Sequence, residues 1–287
     1  MTSTPRSTFA LPTLLVQLVG LGLGTAAATV PALGSLVAYE GFDYTASSSL
    51  ASQNGGTGFS GGWTATTGTS TIGNPGLTYG SMNVIGNRAT TPVQNTTFSR
   101  SLLTTLGSAT GTYYFSFILR PDNSSSSNGA EFALTGSTAS LYVGKPTTGN
   151  FYGLDTVGNG GGGTQNLTST QFASGTAVLM VLRADFVSGG ADTFKLYINP
   201  NLTAEPGSAD ATKTGYDVGN VSGIQFTGNI GFSFDELRIG TSYADVASAV
   251  PESGTWVAGF ALTGVTAAGW LQTRKSRTHQ PNGPKNI

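Results

Sequence analysis

Short runs of alternating apolar residues, each ended by glycine, asparagine or serine, recur along residues 36–246. Successive side chains of a strand point to opposite faces, so this pattern is typical of half-buried strands joined by tight turns. The runs occupy residues 36–44, 77–85, 111–119, 130–134, 140–143, 177–186, 193–199 and 223–240. Many short strands at this spacing predict an all-β, antiparallel two-sheet sandwich or jelly roll.

Three of these runs allow finer predictions. Residues 177–186 are apolar almost without interruption, which predicts a central strand buried on both faces. Residues 193–199 alternate cleanly, with Phe194, Leu196 and Ile198 on one face. Residues 223–240 are expected to form two strands. Residues 97–106 come nearest to a helical period, but they also fit a strand followed by a turn.

Composition and charge exclude several classes of function. Hydrophobic residues make up 38% of the chain and aromatic residues 10%, which favours a packed core over a disordered chain. The absence of cysteine excludes disulfides, thiolate metal sites and a cysteine nucleophile. Residues 36–250 contain eight Lys/Arg and thirteen Asp/Glu, a net charge of −5. A nucleic-acid surface needs a basic patch, so nucleic acid is not expected as a partner.

The first 35 residues are typical of a secretory signal peptide with a short helix. Arg6 supplies a positive charge before residues 14–23, which are apolar and uncharged. Small residues follow, and Ala26 and Ala28 stand at the expected cleavage positions. About ten apolar residues are too few to cross a bilayer. A buried helix of the domain is the alternative, but the charge before the run and the small residues after it favour a signal.

A second uncharged apolar stretch covers residues 256–271. A helix over it would be roughly 24 Å long at about 1.5 Å per residue, so flanking residues would have to complete a membrane span. Trp256 opens the stretch, where an indole favours the membrane interface, and a basic cluster follows it, formed by Arg274, Lys275 and Arg277. Positive residues stay cytoplasmic, so this single membrane-spanning helix predicts an exported body and a cytoplasmic C-terminus.

Pro251 and Glu252 directly precede this stretch. The order of Pro-Glu, an apolar span opened by tryptophan and a basic cluster resembles the PEP-CTERM sorting signal over residues 250–277. The resemblance implies processing at the cell envelope by an exosortase, a membrane transpeptidase-like enzyme. Two features depart from the family pattern: Ser253 replaces the second proline, and a polar tail continues over residues 278–287. A plain C-terminal anchor is the alternative.

Several segments of residues 36–249 resemble bacterial laminin-G-like domains. They are YEGFDY at residues 39–44, NGGTGFSGGW at 54–63, DTFKLYINP at 192–200 and FDELRIG at 234–240. These short matches, spread over most of the domain, imply a concanavalin-A-like jelly roll of two packed antiparallel sheets. The first and last strands of such folds usually pair. We therefore expect residues 38–44 beside residues 232–239.

The same superfold hosts glycoside hydrolases, which need two carboxylates across the scissile bond. The Glu-x-Asp-x-x-Glu pattern of jelly-roll glucanases is absent, and adjacent Asp235 and Glu236 are expected on opposite sides of a strand. The only histidine, His279, lies in the tail, so a Ser-His-Asp triad cannot form in the exported body. A hydrolase stays an alternative if one cleft is lined by Glu40, Asp43, Asp122, Glu131 and Asp235.

Asp235 is expected to be a structural carboxylate that accepts hydrogen bonds from the loop after the first strand. The alternative is a calcium site formed by Asp43 and Asp235, because carboxylate and loop carbonyl oxygens suit Ca²⁺ and some laminin-G relatives bind it. No other cofactor is predicted. The glycine run at residues 158–163 lacks the lysine and helix of a phosphate loop and is expected to be a flexible tip.

Aromatic rings that stack on sugar faces would indicate a carbohydrate site. The candidates are Trp63, Tyr79, Tyr142, Phe151 and Tyr152, of which Trp63 is the one most expected in the core. The combined features predict an exported, non-enzymatic envelope or matrix protein that binds carbohydrate. Its expected partners are the membrane, an exosortase-like enzyme and a polysaccharide. A glycan-acting hydrolase and a purely structural surface or biofilm component are the alternatives.

Overall fold

The computed structural model describes residues 36–82, 84–123, 127–158 and 163–247. The predicted signal region, sorting signal and polar tail lie outside the described residues. The described residues form fifteen strands and one short helix: Leu36–Glu40 (β1), Thr64–Thr67 (β2), Thr71–Gly73 (β3), Arg88–Thr91 (β4), Thr96–Leu106 (β5), Gly111–Pro121 (β6), Ala130–Gly136 (β7), Ser140–Lys145 (β8), Phe151–Asp155 (β9), Asn166–Gln171 (β10), Val178–Phe186 (β11), Asp192–Ile198 (β12), Ala211–Tyr216 (β13), Val221–Gly228 (β14), Phe232–Gly240 (β15) and Tyr243–Ala247 (α1).

The strands form two antiparallel sheets, which confirms the predicted all-β sandwich. The eight-stranded sheet has the order β13-β12-β11-β6-β15-β4-β3, with β1 also paired to β15. The seven-stranded sheet has the order β10-β9-β8-β7-β14-β5-β2. About half of the pairings join consecutive strands, whereas the central pairings of β6 with β11 and β15, and of β14 with β5 and β7, join distant parts of the chain. Such a topology depends on its side-chain packing rather than on local propensity.

Strand β15 has two partners along one edge. Its first half pairs with β4 from Phe232 to Phe234, and its second half pairs with β1 from Leu237 to Gly240. The change of partner from β4 to β1 coincides with an irregularity in the pairing of β15 with β6, between Asp235 and Arg238. The expected pairing of the first and last strands is confirmed over β1, whereas residues 41–44 continue as a loop.

The main core fills the space between the two sheets. Its centre is a group of phenylalanine rings from both layers, with the ring centroids of Phe226 and Phe234 3.9 Å apart and those of Phe117 and Phe132 4.9 Å apart. The predicted alternation of β12 is confirmed, because Phe194, Leu196 and Ile198 all belong to this core. Aromatic side chains contribute the largest buried areas per residue, so these rings carry much of the fold's stability.

A second hydrophobic cluster covers the other face of the eight-stranded sheet. There Leu179 and Val181 of β11 pack under Val246 of helix α1 and under Leu77. Strand β11 therefore has apolar neighbours on both faces, as its uninterrupted apolar sequence predicts.

The predicted strand at residues 77–85 is wrong, because its described residues form a loop. Its apolar residues, Leu77 and Met82, are buried against the second cluster instead of in a strand of either sheet. The apolar pattern therefore predicts the burial of these residues correctly, but not their secondary structure. Conversely, β2, β3, β4, β10 and β13 are short and rich in threonine and other polar residues, and they lack the apolar alternation that would announce them. Residues 97–106 belong to strand β5.

Candidate functional site

The segments at residues 39–44 and 54–63 meet at one buried ion pair. Glu40 of β1 and Arg100 of β5 bridge the two sheets, and each side chain is only 1% exposed. Arg100 Nη1 donates to Glu40 Oε2, which also accepts hydrogen bonds from the Tyr44 hydroxyl at 2.6 Å and Trp63 Nε1 at 3.0 Å. Burying two charges is costly unless the remaining polar atoms are satisfied, and here the surrounding loops supply the partners.

The glycine-rich segment at residues 54–63 completes this arrangement. Arg100 Nη2 donates to the Gly55 carbonyl at 2.7 Å and Nε donates to the Gly61 carbonyl at 2.8 Å. The Arg100 guanidinium also lies 4.1 Å from the Phe59 ring centroid. Trp63 is 2% exposed, which confirms its expected place in the core. The segment therefore wraps a structural ion pair, and its tryptophan is not accessible to a ligand.

Asp235 and Glu236 face the same loop, so the expectation of opposite directions is wrong. Asp235 Oδ2 accepts from the Leu77 amide at 2.6 Å, and Glu236 Oε1 accepts from the Ile85 amide at 2.9 Å. Glu236 has a φ of 51° at the point where β15 changes its edge partner. A bulge of this kind turns two consecutive side chains to one side of a sheet.

The donors to Asp235 also differ from those expected, since they come from the loop before β4 and from the Glu236 amide. Burial raises the pKa of Asp235 to about 8. Asp43 is exposed. A Cβ at Gly86 would lie 2.8 Å from the Cβ of Asp43, so Asp43 borders the far end of the same loop. Among the described residues, no three acidic or histidine side chains lie close enough to hold a metal ion. The calcium site stays a prediction.

One surface that combines polar groups with an outward ring is the outward face of the seven-stranded sheet. We call it the polar face: the side chains of β5, β14, β7, β8 and β9 that point away from the main core. Paired residues place one row of side chains across all five strands, in the order Ser99, Gln225, Ala133, Tyr142 and Asp155. Hydroxyl and amide groups therefore stand on one side of a small residue and a tyrosine ring on the other.

The neighbouring row is mostly buried. It runs across the same strands through Thr97, Thr227, Glu131, Gly144 and Gly153. Of these five residues only Thr97 is partly exposed, and a Cβ at Gly153 would lie 2.9 Å from Leu167 Cδ2, so this row offers little open surface. None of the described side chains on the polar face is lysine or arginine, because the basic residues of β5 and β8 point into the interior.

Tyr142 is held by the loop that follows β9. A Cβ at Gly158 would lie 2.3 Å from Tyr142 Cε1, so only glycine allows the backbone to pack on this ring. Burial raises the pKa of Tyr142. Asp155 fixes the base of the loop, where it accepts hydrogen bonds from the Thr156 amide at 2.7 Å and the Gln165 side chain at 2.8 Å. The centre of the loop, residues 159–162, lies outside the described residues.

The other aromatic candidates divide between the core and separate surfaces. Tyr152 is fully buried in the main core, and Tyr79 packs against the second cluster on the other sheet. Phe151 is partly exposed on the polar face. It lies four residues from the partner of Tyr142 on β9, roughly 13 Å away at about 3.3 Å per residue. Tyr142 and Phe151 are thus the two candidate rings that the structure leaves facing outward on one sheet.

The five candidate catalytic acids do not share a cleft in the described part of the chain. Glu40 lies between the sheets with Arg100, Glu131 is buried on the polar face, and Asp235 is buried on the opposite sheet. Asp43 is exposed beside the loop before β4, and Asp122 is paired with an arginine of β6. A pair of carboxylates flanking one scissile bond is not formed by these residues.

Sequence reasoning did not single out Gln225 or Ser99. The alternation around Gln225 contained the signal, because its neighbours Ile224 and Phe226 are both buried in the main core. The predicted site residues Ala26, Ala28 and those of the sorting motif lie outside the described residues. Within the described residues, no helix is both long and apolar enough to cross a bilayer.

No family model matches the sequence. No curated protein matches it either. Domain 4 of an extracellular arabinanase from Geobacillus stearothermophilus, solved with arabinotriose, is 18% identical with a TM-score of 0.45, covering 75% of this chain and 99% of that one. An endo-β-1,4-glucuronan lyase from Trichoderma reesei is 11% identical with a TM-score of 0.38, covering 62% and 89%. A botulinum neurotoxin serotype D binding domain is 10% identical with a TM-score of 0.40, covering 62% and 44%.

Proposed function

We propose that this protein is an exported, non-catalytic carbohydrate-binding protein of the cell envelope or matrix, whose body is a laminin-G-like jelly roll. The observation that carries the proposal is the polar face. Gln225 and Ser99 supply amide and hydroxyl groups and Tyr142 supplies a ring, and all three side chains are partly exposed. A flat surface with a ring and several hydrogen-bonding groups suits a sugar, which has apolar faces and hydroxyl edges.

The charge of this surface narrows the ligand to an uncharged glycan. The polar face has no basic side chain to pair with a uronate or sulfate group among its described residues. Its two acids, Glu131 and Asp155, are both buried. Neutral hydroxyls are therefore the groups that this surface can bind without leaving a charge unpaired.

A glycan array with the full-length protein tests this proposal. We expect binding to neutral polysaccharides without release of products, and a loss of about tenfold in affinity for Gln225→Ala, the size of one or two good hydrogen bonds. Tyr142→Ala should weaken binding further because it removes the ring. Tyr79→Ala is the matched control, since this tyrosine is half-buried on the other sheet. Release of sugar products, or equal losses in all three variants, would contradict the proposal.

The proposed localisation of the protein depends on its two apolar ends. We propose export through the signal at residues 1–35 and processing of residues 250–277 by an exosortase-type enzyme. Cell fractionation with antibodies against the body and against the tail tests this. The body should be outside the cytosol and should lack the tail, and Pro251→Ala with Glu252→Ala should leave the tail attached. Full-length protein with an intact tail in the cytosol would refute the proposed address.

A further inference from the structure

Two arginine side chains converge on the outward face of the eight-stranded sheet, opposite the polar face. Arg88 of β4 and Arg120 of β6 flank β15, and both donate to the Ser233 hydroxyl, from Nε at 3.3 Å and from Nη2 at 3.4 Å. Ser233 is paired directly with Arg120 in the sheet and with Thr90 of β4. Two guanidinium groups are therefore held side by side across three adjacent strands.

The local acids do not balance this pair. Asp122 accepts from Arg120 Nε at 2.6 Å and from the Ser233 hydroxyl at 2.7 Å, so it neutralises one of the two charges. The other nearby acid is Asp235, and burial raises its pKa to about 8, which leaves it largely protonated at pH 7. The cluster thus keeps one positive charge in excess, in a body whose net charge is −5.

The geometry leaves donors open to a ligand. Among the described residues, Arg88 Nη2 and Arg120 Nη1 make no hydrogen bond, and the Arg120 side chain is 26% exposed. Gly73 of the edge strand β3 makes room here, since a Cβ there would lie 3.0 Å from the Arg88 Cζ. Burial, and then the nearby Arg120 charge, lower the pKa of Arg88. An oxyanion between the two groups would relieve this repulsion.

We propose that Arg88 and Arg120 form an oxyanion-binding site for the sulfate or carboxylate groups of an acidic polysaccharide. Arginine forks match both oxyanions in geometry. An anionic membrane is the less favoured partner, because lipid recognition uses clusters of four to eight basic residues, whereas this site has two. The site is separate from the polar face, so the protein would hold a neutral glycan on one sheet and an acidic glycan on the other.

Affinity electrophoresis of the full-length protein tests this site with dextran sulfate, polygalacturonate and unmodified dextran. Dextran sulfate and polygalacturonate distinguish the sulfate from the carboxylate source, and retardation by at least one of them is expected. Arg88→Gln and Arg120→Gln should each weaken that retardation about tenfold or more, the usual size of a lost charge-assisted hydrogen bond. Binding to unmodified dextran should not change in either variant.

Arg183→Gln is the matched control. Arg183 lies on the same face of the same sheet, and its substitution removes the same charge. Asp185 and Glu205 already pair with Arg183, at 2.9 and 3.3 Å. It should change retardation less than twofold. If it weakens retardation as much as Arg120→Gln, net charge explains the binding and the proposal fails. Binding to phosphatidylglycerol vesicles that depends on Arg120, without binding to either acidic polymer, would also overturn it.

Thermal unfolding in sulfate provides a second measurement, which can be made on the natural protein if a variant does not fold. Sodium sulfate should raise the thermal midpoint of the natural protein more than sodium chloride does at equal ionic strength. Sulfate stabilises many proteins generally, so the informative quantity is the difference from Arg183→Gln, which should keep the full sulfate effect. Arg120→Lys retains the charge without the fork and should keep only part of it. An identical sulfate effect in all variants would overturn the site.

Discussion

Two tyrosine hydroxyls in the core have opposite surroundings. The Tyr44 hydroxyl donates to Glu40 at 2.6 Å and accepts from the Gly55 amide at 2.9 Å, whereas the Tyr152 hydroxyl is buried without a partner among the described residues. Tyr44→Phe should lower the free energy of unfolding by about 1–3 kcal/mol, because it leaves a buried amide and carboxylate short of partners. Tyr152→Phe should leave it unchanged or raise it. Urea denaturation of both variants measures the difference, and a larger loss for Tyr152→Phe would contradict this account.

The buried carboxyl of Asp235 makes stability depend on pH. Its folded pKa of about 8 lies above the unfolded value, so folding favours the protonated form. Its contribution is fully present below about pH 4 and is lost as pH rises to about 8. Asp235→Asn should flatten this slope between pH 5 and 8, whatever its absolute stability. Burial lowers the pKa of Lys145 to about 8, so this residue affects stability at pH values above 8 instead. Parallel slopes in the variant and the natural protein would refute the assignment.

At the scale of an element, the loop at residues 54–63 is closed by backbone contact. Gly58 has a φ of 82°, and a Cβ there would lie 2.1 Å from the Val37 carbonyl oxygen of β1. Gly58→Ala should therefore destabilise the protein by more than about 2 kcal/mol, through strain and displacement of the loop from the ion pair. Gly111→Ala is the control, because nothing lies within 4 Å of its Cβ position. Thermal unfolding compares them, and equal midpoints would exclude this role for the loop.

Element by element, the sequence predicts what the apolar pattern controls. Strands β6, β11 and β12 follow from their residues because each buries alternate side chains against a core. The threonine-rich strands β2, β3, β4, β10 and β13 do not, because they lack the apolar alternation of a half-buried strand. The polar face escapes prediction because Gln225 and Tyr142, which are far apart in the chain, come together through the pairing of β14, β7 and β8. The directions of the Asp235 and Glu236 side chains depend on a bulge that the local sequence does not predict.

At the scale of the molecule, the described residues within 36–247 already form both hydrophobic clusters. Deleting residues 250–287 should therefore shift the thermal midpoint by less than about 3 °C, the change that roughly 1 kcal/mol causes in a domain of this size. Phe226→Ala, in the centre of the main core, should lower stability by about 3–5 kcal/mol and shows that the assay responds. A large loss of stability on deletion would mean that the C-terminal stretch packs on the body and is not a separate membrane segment.

The pairing of Leu36 with Gly240 brings the start and the finish of the domain to one spot on its surface. A folded unit with adjoining ends can be spliced into an exposed loop of an unrelated host protein without stretching either partner. The same arrangement suits circular permutation, with the old ends joined by a few residues and new ones opened in a distant turn. This sandwich would thus serve as a portable folded module.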